Sequence, residues 1–356
     1  MRYNLLFLKA GLFCSLFFIQ GKARAQAPSD PLFESDSILT LNLTGPTRKL
    51  FNDRDDEAKY YPLQLSYKNE ANNDVSITIN AKTRGNFRRK KENCTYPPIL
   101  LNFQKADVAN TLFSSQKKVK LVVPCRGDKY VIREYLVYKL YNLITPKSFR
   151  ARLVKANFMD ADKKEIASFY AMLLEEDAQV AKRNGLNLQA KKKMRGEGTE
   201  TETFLKMAVF QYMIGNTDWS VPYLHNIRIL AFDSLSIPYT VPYDFDHAGI
   251  VGAPYALPPE ELELRSTKDR RFRGYCISDM KSFDAVVATY NRLKTNIYST
   301  YTNCTLLDEK YITATTKFLD QFYTTLNNPK KLAEAFSYPC NKNSPAIVIK
   351  GLNKDD

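Results

Sequence analysis

The chain has 356 residues, 44% of them hydrophobic and 12% aromatic, with 52 Lys and Arg against 38 Asp and Glu, a formal net charge of +14 at pH 7. That apolar content excludes an intrinsically disordered chain and supports a substantial core, either one large domain or two lobes around a cleft. The basic balance favours anionic partners such as nucleotides, acidic glycans or lipid headgroups. The clusters Arg88 to Lys91, Lys191 to Lys193, and Lys268 with Arg270, Arg271 and Arg273 lack the interleaved aromatics or repeats of nucleic-acid modules. Nucleic acid is therefore not an expected partner, and these residues are expected in solvated loops.

The first segment reads as a cleaved signal peptide over residues 1–27. Arg2 and Lys9 flank and interrupt an apolar stretch from Leu5 to Ile19, and Ala23 to Ala27 offers small-x-small cleavage sites. No later stretch is apolar and long enough for a membrane span. The expectation is a secreted or periplasmic protein. Without Cys14, five cysteines remain: Cys94, Cys125, Cys276, Cys304 and Cys340. There is no CxxC and histidine is scarce, which points to disulfides rather than zinc. Cys94 with Cys125 is one candidate pair, two of the last three form another, and one thiol is left over.

From about Ser37 to Val123 the pattern alternates with period two, in ILTLNLTG, YPLQLSYKN, VSITINAKTRG, PPILLNF and KKVKLVV, which predicts strands. Asp128 to Leu143 switches to helical spacing, with Gly127 at the entry and Pro146 beyond the end. Two more strands are predicted in RARLVKANFMD and SFYAMLLEE. After Glu176 the chain reads as mostly helical. A charged, Gly-interrupted loop spans Lys182 to Glu202, and amphipathic helices are predicted over Thr201–Gly215, Met280–Tyr301, Asp308–Leu326 and Pro329–Phe336. A short hairpin covers roughly Asn226–Phe232 and Tyr239–Pro242. The expected division is a β-rich half with one long helix at 28–176 and a helical half at 177–356.

Both histidines and the only tryptophan fall in one window, Gly215 to Gly249, together with four aspartates. Its order is a carboxylate on a loop (Asp218), a carboxamide eight residues later (Asn226), then an acidic pair after a hairpin (Asp244, Asp246). This order suits magnesium-nucleotide chemistry, in which one carboxylate accepts a proton while an amide and a further carboxylate hold the metal against phosphates. Asp218 is expected ionised on an exposed loop. Asp244 and Asp246 alternate, so an extended segment points both to one side and Phe245 to the core. An oxygen-only donor set fits Mg2+ or Mn2+ better than zinc. His225 is expected to bond loop carbonyls, His247 to stand behind the metal or cap the turn, and Trp219 to pack the loop in place.

Several blocks in one order, TRGNFRR at 83–89, KKVKLVVP at 117–124, REYLVYKLYNLI at 133–144, RARLVKANF and SFYAMLLEE at 150–176, then GNTDW, HN and VPYDFD within 215–246, resemble the CotH kinase family of secreted and spore-coat atypical protein kinases. A fainter likeness is to HipA-type kinases. The resemblance implies an α+β, bilobal atypical protein-kinase-like fold with a β-rich N-lobe and a helical C-lobe. It further implies an ATP- and Mg2+-dependent phosphotransferase acting on a protein or glycan hydroxyl. Asp218 would take the acceptor proton, Asn226 and Asp244 would hold the metal, and Asp246 would add a ligand. Lys120 or Lys118 would contact phosphate, with Glu134 as ion-pair partner. Arg84, Gly85 and Asn86 would turn over the nucleotide, and Glu176 would lie where the lobes join. Two departures stand out: the Asp218 to Asn226 gap exceeds that of the HRDxxxxN loop, and no GxGxxG is present. An AMP-transferring enzyme and a catalytically silent surface or adhesion protein are the competing readings. The lack of GxSxG and HExxH disfavours a hydrolase.

Overall fold

The structure is a computed structural model that describes residues 30–190, 193–340 and 347. The signal peptide, Cys14, Lys191 and Lys192 lie outside the described residues. The predicted strands are present: β1 (Leu39–Thr44), β2 (Tyr61–Lys68), β3 (Asp74–Thr83), β4 (Ile99–Phe103) and β5 (Lys118–Val122), then β6 (Ala151–Met159) and β7 (Glu165–Leu174). A short helix α1 (Thr47–Asn52) follows β1, and α2 (Asp128–Ile144) separates β5 from β6.

These seven strands close on themselves in the order β1-β2-β3-β4-β5-β7-β6. All neighbours are antiparallel except β1 and β6, which run parallel from Leu39 opposite Val154 to Thr44 opposite Met159 and seal the barrel. The period-two pattern explains the filling. Leu41, Leu43, Leu65, Ile79, Leu101, Leu121, Ala156 and Leu173 point inward and form one continuous cluster with no edge left open on that sheet.

The outer wall carries a second cluster. Val122, Leu153, Met172 and Leu174 meet α2, which is buried on nearly every side because the barrel covers one face and further helices the other. Glu134, in the middle of α2, is therefore 2% exposed. Beyond the barrel come α3 (Asp177–Arg183), the short strand β8 (Asn187–Gln189), α4 (Thr201–Ile214), and the hairpin β9 (Ile227–Ala231) and β10 (Tyr239–Pro242). β8 joins the hairpin as a three-stranded antiparallel sheet, so the predicted loop at Lys182–Glu202 contains a strand. After a long irregular segment broken by short 3-10 turns come α5 (Asp284–Thr302), α6 (Glu309–Leu326) and α7 (Pro329–Phe336).

The expected bilobal kinase-like fold with a helical C-lobe is thus overturned. The N-terminal sheet is a closed seven-stranded mixed barrel, and the C-terminal half has its own small sheet and some forty irregular residues between β10 and α5. The cause is the parallel β1–β6 pairing, a contact between strands more than a hundred residues apart that period alone does not announce.

Cys94 and Cys125 form one disulfide and Cys276 and Cys340 another, leaving Cys304 as the free thiol. Such crosslinks suit an oxidising compartment. No helix among the described residues is long and apolar enough to cross a membrane.

Gly215 ends α4 in the left-handed region, with φ of 68°. A Cβ there would lie 2.8 Å from the Thr267 carbonyl oxygen and 3.1 Å from the Phe318 ring. Gly185 has a similar φ of 66° but open space around it. Urea unfolding should show Gly185→Ala costing about 1 kcal/mol, the left-handed penalty alone, and Gly215→Ala at least about 2 kcal/mol more. Equal losses would mean that the loop leaving α4 is not held as described.

Candidate functional site

The loop after α4 folds back on itself. Ser220 and His225 exchange two backbone hydrogen bonds, 2.9 Å and 3.0 Å, as an isolated antiparallel bridge. That closure absorbs the extra residues between Asp218 and Asn226. The Asn226 Nδ2 donates to the Asp218 carbonyl at 2.8 Å and to the Asp218 Oδ2 at 3.0 Å. Leu224 and Asn226 take left-handed φ values of 53° to make the turn. With its NH2 committed to Asp218, Asn226 is left with its amide oxygen as a spare acceptor.

Asp218 is buried, 3% exposed, rather than on an exposed loop. His225 does not bond loop carbonyls through its ring. Its Nε2 lies 2.8 Å from the Asp218 Oδ1. Burial alone would raise the Asp218 pKa, but the His225 hydrogen bond and the charges of His225, His247 and Arg273 bring it below the usual carboxylate value. Burial would likewise lower His225, and Asp218 with Asp244 raises it above 6.5 instead. Asp218 is accordingly an ionised, oriented acceptor at neutral pH.

The Tyr243 N–H donates to the Asn226 carbonyl at 3.0 Å, which sets the next segment beside the loop. Asp244 is not extended. It has a φ of 59°, and its N–H donates to the Tyr138 hydroxyl of α2 at 2.9 Å. Phe245 is fully buried as expected, and Asp244 and Asp246 both line the same pocket. The Asp246 Oδ2 accepts from the Tyr255 hydroxyl at 3.0 Å, whereas the Asp244 carboxylate, with the charges of Arg88 and Arg84 near it, has no hydrogen-bond or ion-pair partner among the described residues. Burial, with the charge of Asp246 adding to it, lifts the Asp244 pKa to about 6.

The pocket encloses about 240 Å³. Arg84, Gly85 and Asn86, after β3, form one side, with Gly85 at φ of 83°. The Arg84 guanidinium has no ion-pair partner among the described residues. Pro98, Val122, Leu174 and Tyr243 make an apolar wall, and Lys120, Glu134, Asp218, Asn226, Asp244, Asp246 and His247 are among the other lining residues, with Arg88 and His225. Of the expected site residues only Lys118 and Glu176 fall outside it. Lys118 shares a strand face with Lys120, but it is exposed at the start of β5. Glu176 is the N-cap of α3, in a capping box with Gln179.

The expected pairing of a strand lysine with Glu134 is replaced by two others. The Lys120 Nζ lies 2.7 Å from the Asp177 Oδ1, and Arg228 holds the other Asp177 oxygen at 2.5 Å. Glu134 faces Arg88 instead, at 3.8 Å, and the same guanidinium atom lies 3.7 Å from Asp246. Burial, with Asp246 and Asp244 nearby, holds the Glu134 carboxyl well above the usual range against the pull of Arg88. Arg88 and Asp177 are the site residues that sequence reading missed. Arg88 was expected among solvated basic residues, and only its place directly after Arg84-Gly85-Asn86-Phe87 could have singled it out.

Among the described residues no group of three or more His, Cys, Asp or Glu side chains is arranged to hold a metal ion. The donor set is smaller: an unpartnered Asp244 carboxylate, Asp246, and the spare amide oxygen of Asn226. That oxygen-only set suits a hard cation that keeps several waters or phosphate oxygens, as magnesium does. His247 stands beside it with an unpartnered Nδ1, its ring against Phe87 and Tyr255. Trp219 packs on Phe204, as expected.

Two stability outcomes follow from these charges. In chelator, where no cation offsets the repulsion, Asp244→Asn should stabilise the fold by about 2 kcal/mol near neutral pH and above. A raised carboxyl pKa makes folding less favourable as pH rises from 3.8 through about 6, so the gain should vanish in acid. A destabilised variant at neutral pH would show that Asp244 has a partner. The Asp218–His225 pair carries two windows. The depressed Asp218 contributes above pH 3.8 and loses its contribution as pH falls through its folded pKa. The raised His225 contributes fully below 6.5 and loses its contribution as pH rises through its folded value. His225→Gln should therefore cost about 1–2 kcal/mol at ~pH 5.5 and progressively less in alkali. A pH-independent loss would remove the ion pair from the account.

No protein-family model matches the chain, and a comparison with curated proteins gives no match.

Proposed function

We propose that this pocket binds a nucleoside triphosphate with a divalent cation and transfers its terminal phosphoryl group to a hydroxyl on a protein or glycan. One observation carries the reading. Asp218, Asn226, Asp244 and Asp246 converge with Arg84 and Lys120 in one pocket, and the Asp244 carboxylate there has no hydrogen-bond or ion-pair partner among the described residues. The charges of Arg88 and Arg84 only partly offset the burial of this carboxylate, which costs stability and leaves room for an anion that brings its own metal. The reading rests on the site and not on the fold, because similar chemistry recurs on unrelated folds. The resemblance to the CotH kinase family agrees with it.

Phosphoryl transfer asks a protein mainly for positioning and charge neutralisation. Asp244, Asp246 and the Asn226 amide oxygen would hold magnesium or manganese, which when bound offsets the charge of phosphate oxygens. Arg84, with Lys120 beside it on Asp177, would contact the phosphates, and the wall of Pro98, Val122 and Leu174 would take the base. Asp218, held in place by His225 and Asn226, orients the acceptor hydroxyl and accepts its proton as the new bond forms. The two disulfides fit a periplasmic or secreted setting.

The test is transfer from ATP labelled at the γ- or the α-phosphate, in magnesium, to a hydroxyl-bearing acceptor mixture or to the protein itself. Label from the γ position alone is expected. Label from the α position would replace the proposal with AMP transfer, and no label with no nucleotide binding would leave a silent surface protein. Asp218→Asn should lower transfer by about 10³-fold with nucleotide affinity changed less than about 3-fold, whereas Asp244→Asn should weaken magnesium-dependent nucleotide binding at least about 10-fold. Equal binding losses in both variants would break the division of roles.

A further inference from the structure

The loop from Asp218 to Asn226 lines two pockets. Asp218, His225 and Asn226 face the one described above, while Trp219 to Tyr223 line a second of about 590 Å³ that shares no residue with the first. Its size is that of a small-molecule site. Trp219, Phe204 and Tyr275 make an aromatic wall, with ring centroids of Phe204 and Tyr275 5.0 Å apart. Gly196 closes on that wall, and a Cβ there would lie 2.7 Å from the Phe204 ring.

The polar atoms of this pocket are mostly donors without acceptors. Trp219 is 3% exposed and Ser220 2%, yet among the described residues the indole Nε1 and the Ser220 hydroxyl have no hydrogen-bond partner, nor has the Nε of Arg273. The buried indole and hydroxyl each lack a bond that such groups normally make. Arg273, Lys193 and Arg195 line the pocket without an ion pair among the described residues, although the charges of Asp218 and Glu261 reach Arg273, and among those residues Glu197 is the carboxylate that lines it. Burial lowers the Arg273 guanidinium to about 10.

We propose that this second pocket binds an aromatic carboxylate, its ring on the Trp219, Phe204 and Tyr275 wall and its carboxylate accepting from Arg273, Ser220 and the Trp219 indole. The ligand supplies the acceptor that the Trp219 indole and the Ser220 hydroxyl lack among the described residues. The Arg273 Nη1 also donates to the carbonyls of Thr217, at 2.6 Å, and Trp219, the two residues flanking Asp218. Occupancy therefore bears on the backbone that carries Asp218. Binding can be measured whether or not the neighbouring pocket transfers phosphate.

Trp219 is the only tryptophan in the chain, so its fluorescence reports this pocket alone. The full protein is titrated with phenylacetate, with its neutral isostere phenylacetamide, and with the peptide Ala-Ala-Phe as free acid and as amide. A saturable fluorescence change is expected for a carboxylate probe below about 10 mM, with the matching amide at least about 10-fold weaker. Tighter binding of the peptide acid than of phenylacetate would assign the carboxylate to a chain terminus, and the reverse to a free acid. Lys193 and Arg195 are exposed at the rim, and their double substitution by Ala should weaken binding roughly 5-fold without disturbing the fold. Asp244→Asn should bind as the parent does, so failure of the phosphotransfer reading leaves this result intact. No saturable response, equal response to acid and amide, or no effect of the double substitution would each overturn the proposal.

Discussion

Arg88 is the charge on which the rest of the site depends. It sits among three buried carboxyl groups, within 3.8 Å of Glu134 and 3.7 Å of Asp246, with Asp244 close by, and its Nη2 donates to the Val123 carbonyl at 2.5 Å. It therefore ties the turn after β3 to the end of β5, to the middle of α2 and to the acidic loop after β10. Burial works against its charge, and the surrounding acids more than offset this and raise its pKa. Arg88 is the cation in contact with two of these acids, and the charge of Arg84 also reaches Asp244. The Glu134 carboxyl is held well above the usual range, Asp246 accepts from Tyr255, and the Asp244 carboxylate has the charges of Arg88 and Arg84 near it but no hydrogen bond or ion pair among the described residues. A buried charge without compensation is expensive, and such places are where function is to be sought.

The fold delivers these groups by packing rather than by sequence proximity. The closed barrel gives α2 an apolar wall to lie on, and helices on the other side bury it all round, so a glutamate in its middle has nowhere to go but into the acidic cluster. The Tyr138 hydroxyl one turn further along accepts the Asp244 N–H, fixing a left-handed aspartate that an unconstrained loop would avoid. The small bridge at Ser220 and His225 does the same for Asp218 and Asn226, and the Asn226 carbonyl passes the alignment on to Tyr243. The backbones of Asp244 and Asp218 are each held by a side chain from elsewhere, Tyr138 of α2 and Asn226, while the Asp244 carboxylate is left uncommitted.

The strands and long helices were legible because each buries one face at a fixed period: Leu63, Leu65 and Tyr67 in β2 alternate inward, and α6 repeats Leu319, Phe322, Tyr323 and Leu326. Barrel closure was not legible, since alternation says which face is buried and not which distant strand lies alongside. The short elements α1, α3 and β8 were missed because a few residues give no period. Asp218, Asn226 and Asp244 were legible as polar residues clustered around the only Trp and both His. The pairing of Lys120 was not: Asp177 reads as an ordinary acid in the first turn of a helix, and Arg88 hides in a run of basic residues. Asp218 was expected in solvent, and its burial beside His225 follows from the bridge that period-based reading does not detect.

The central claim is that Asp244, Asp246 and Asn226 share one cation presented with a triphosphate. Crystals grown with manganese and a non-hydrolysable ATP analogue would test it most directly, through the anomalous scattering of the metal. The account predicts a single strong peak within coordination distance, about 2.2 Å, of the Asp244 carboxylate, with the triphosphate toward Arg84 and Lys120. A metal and nucleotide bound elsewhere, with the Asp244 carboxylate still unpartnered, would contradict it.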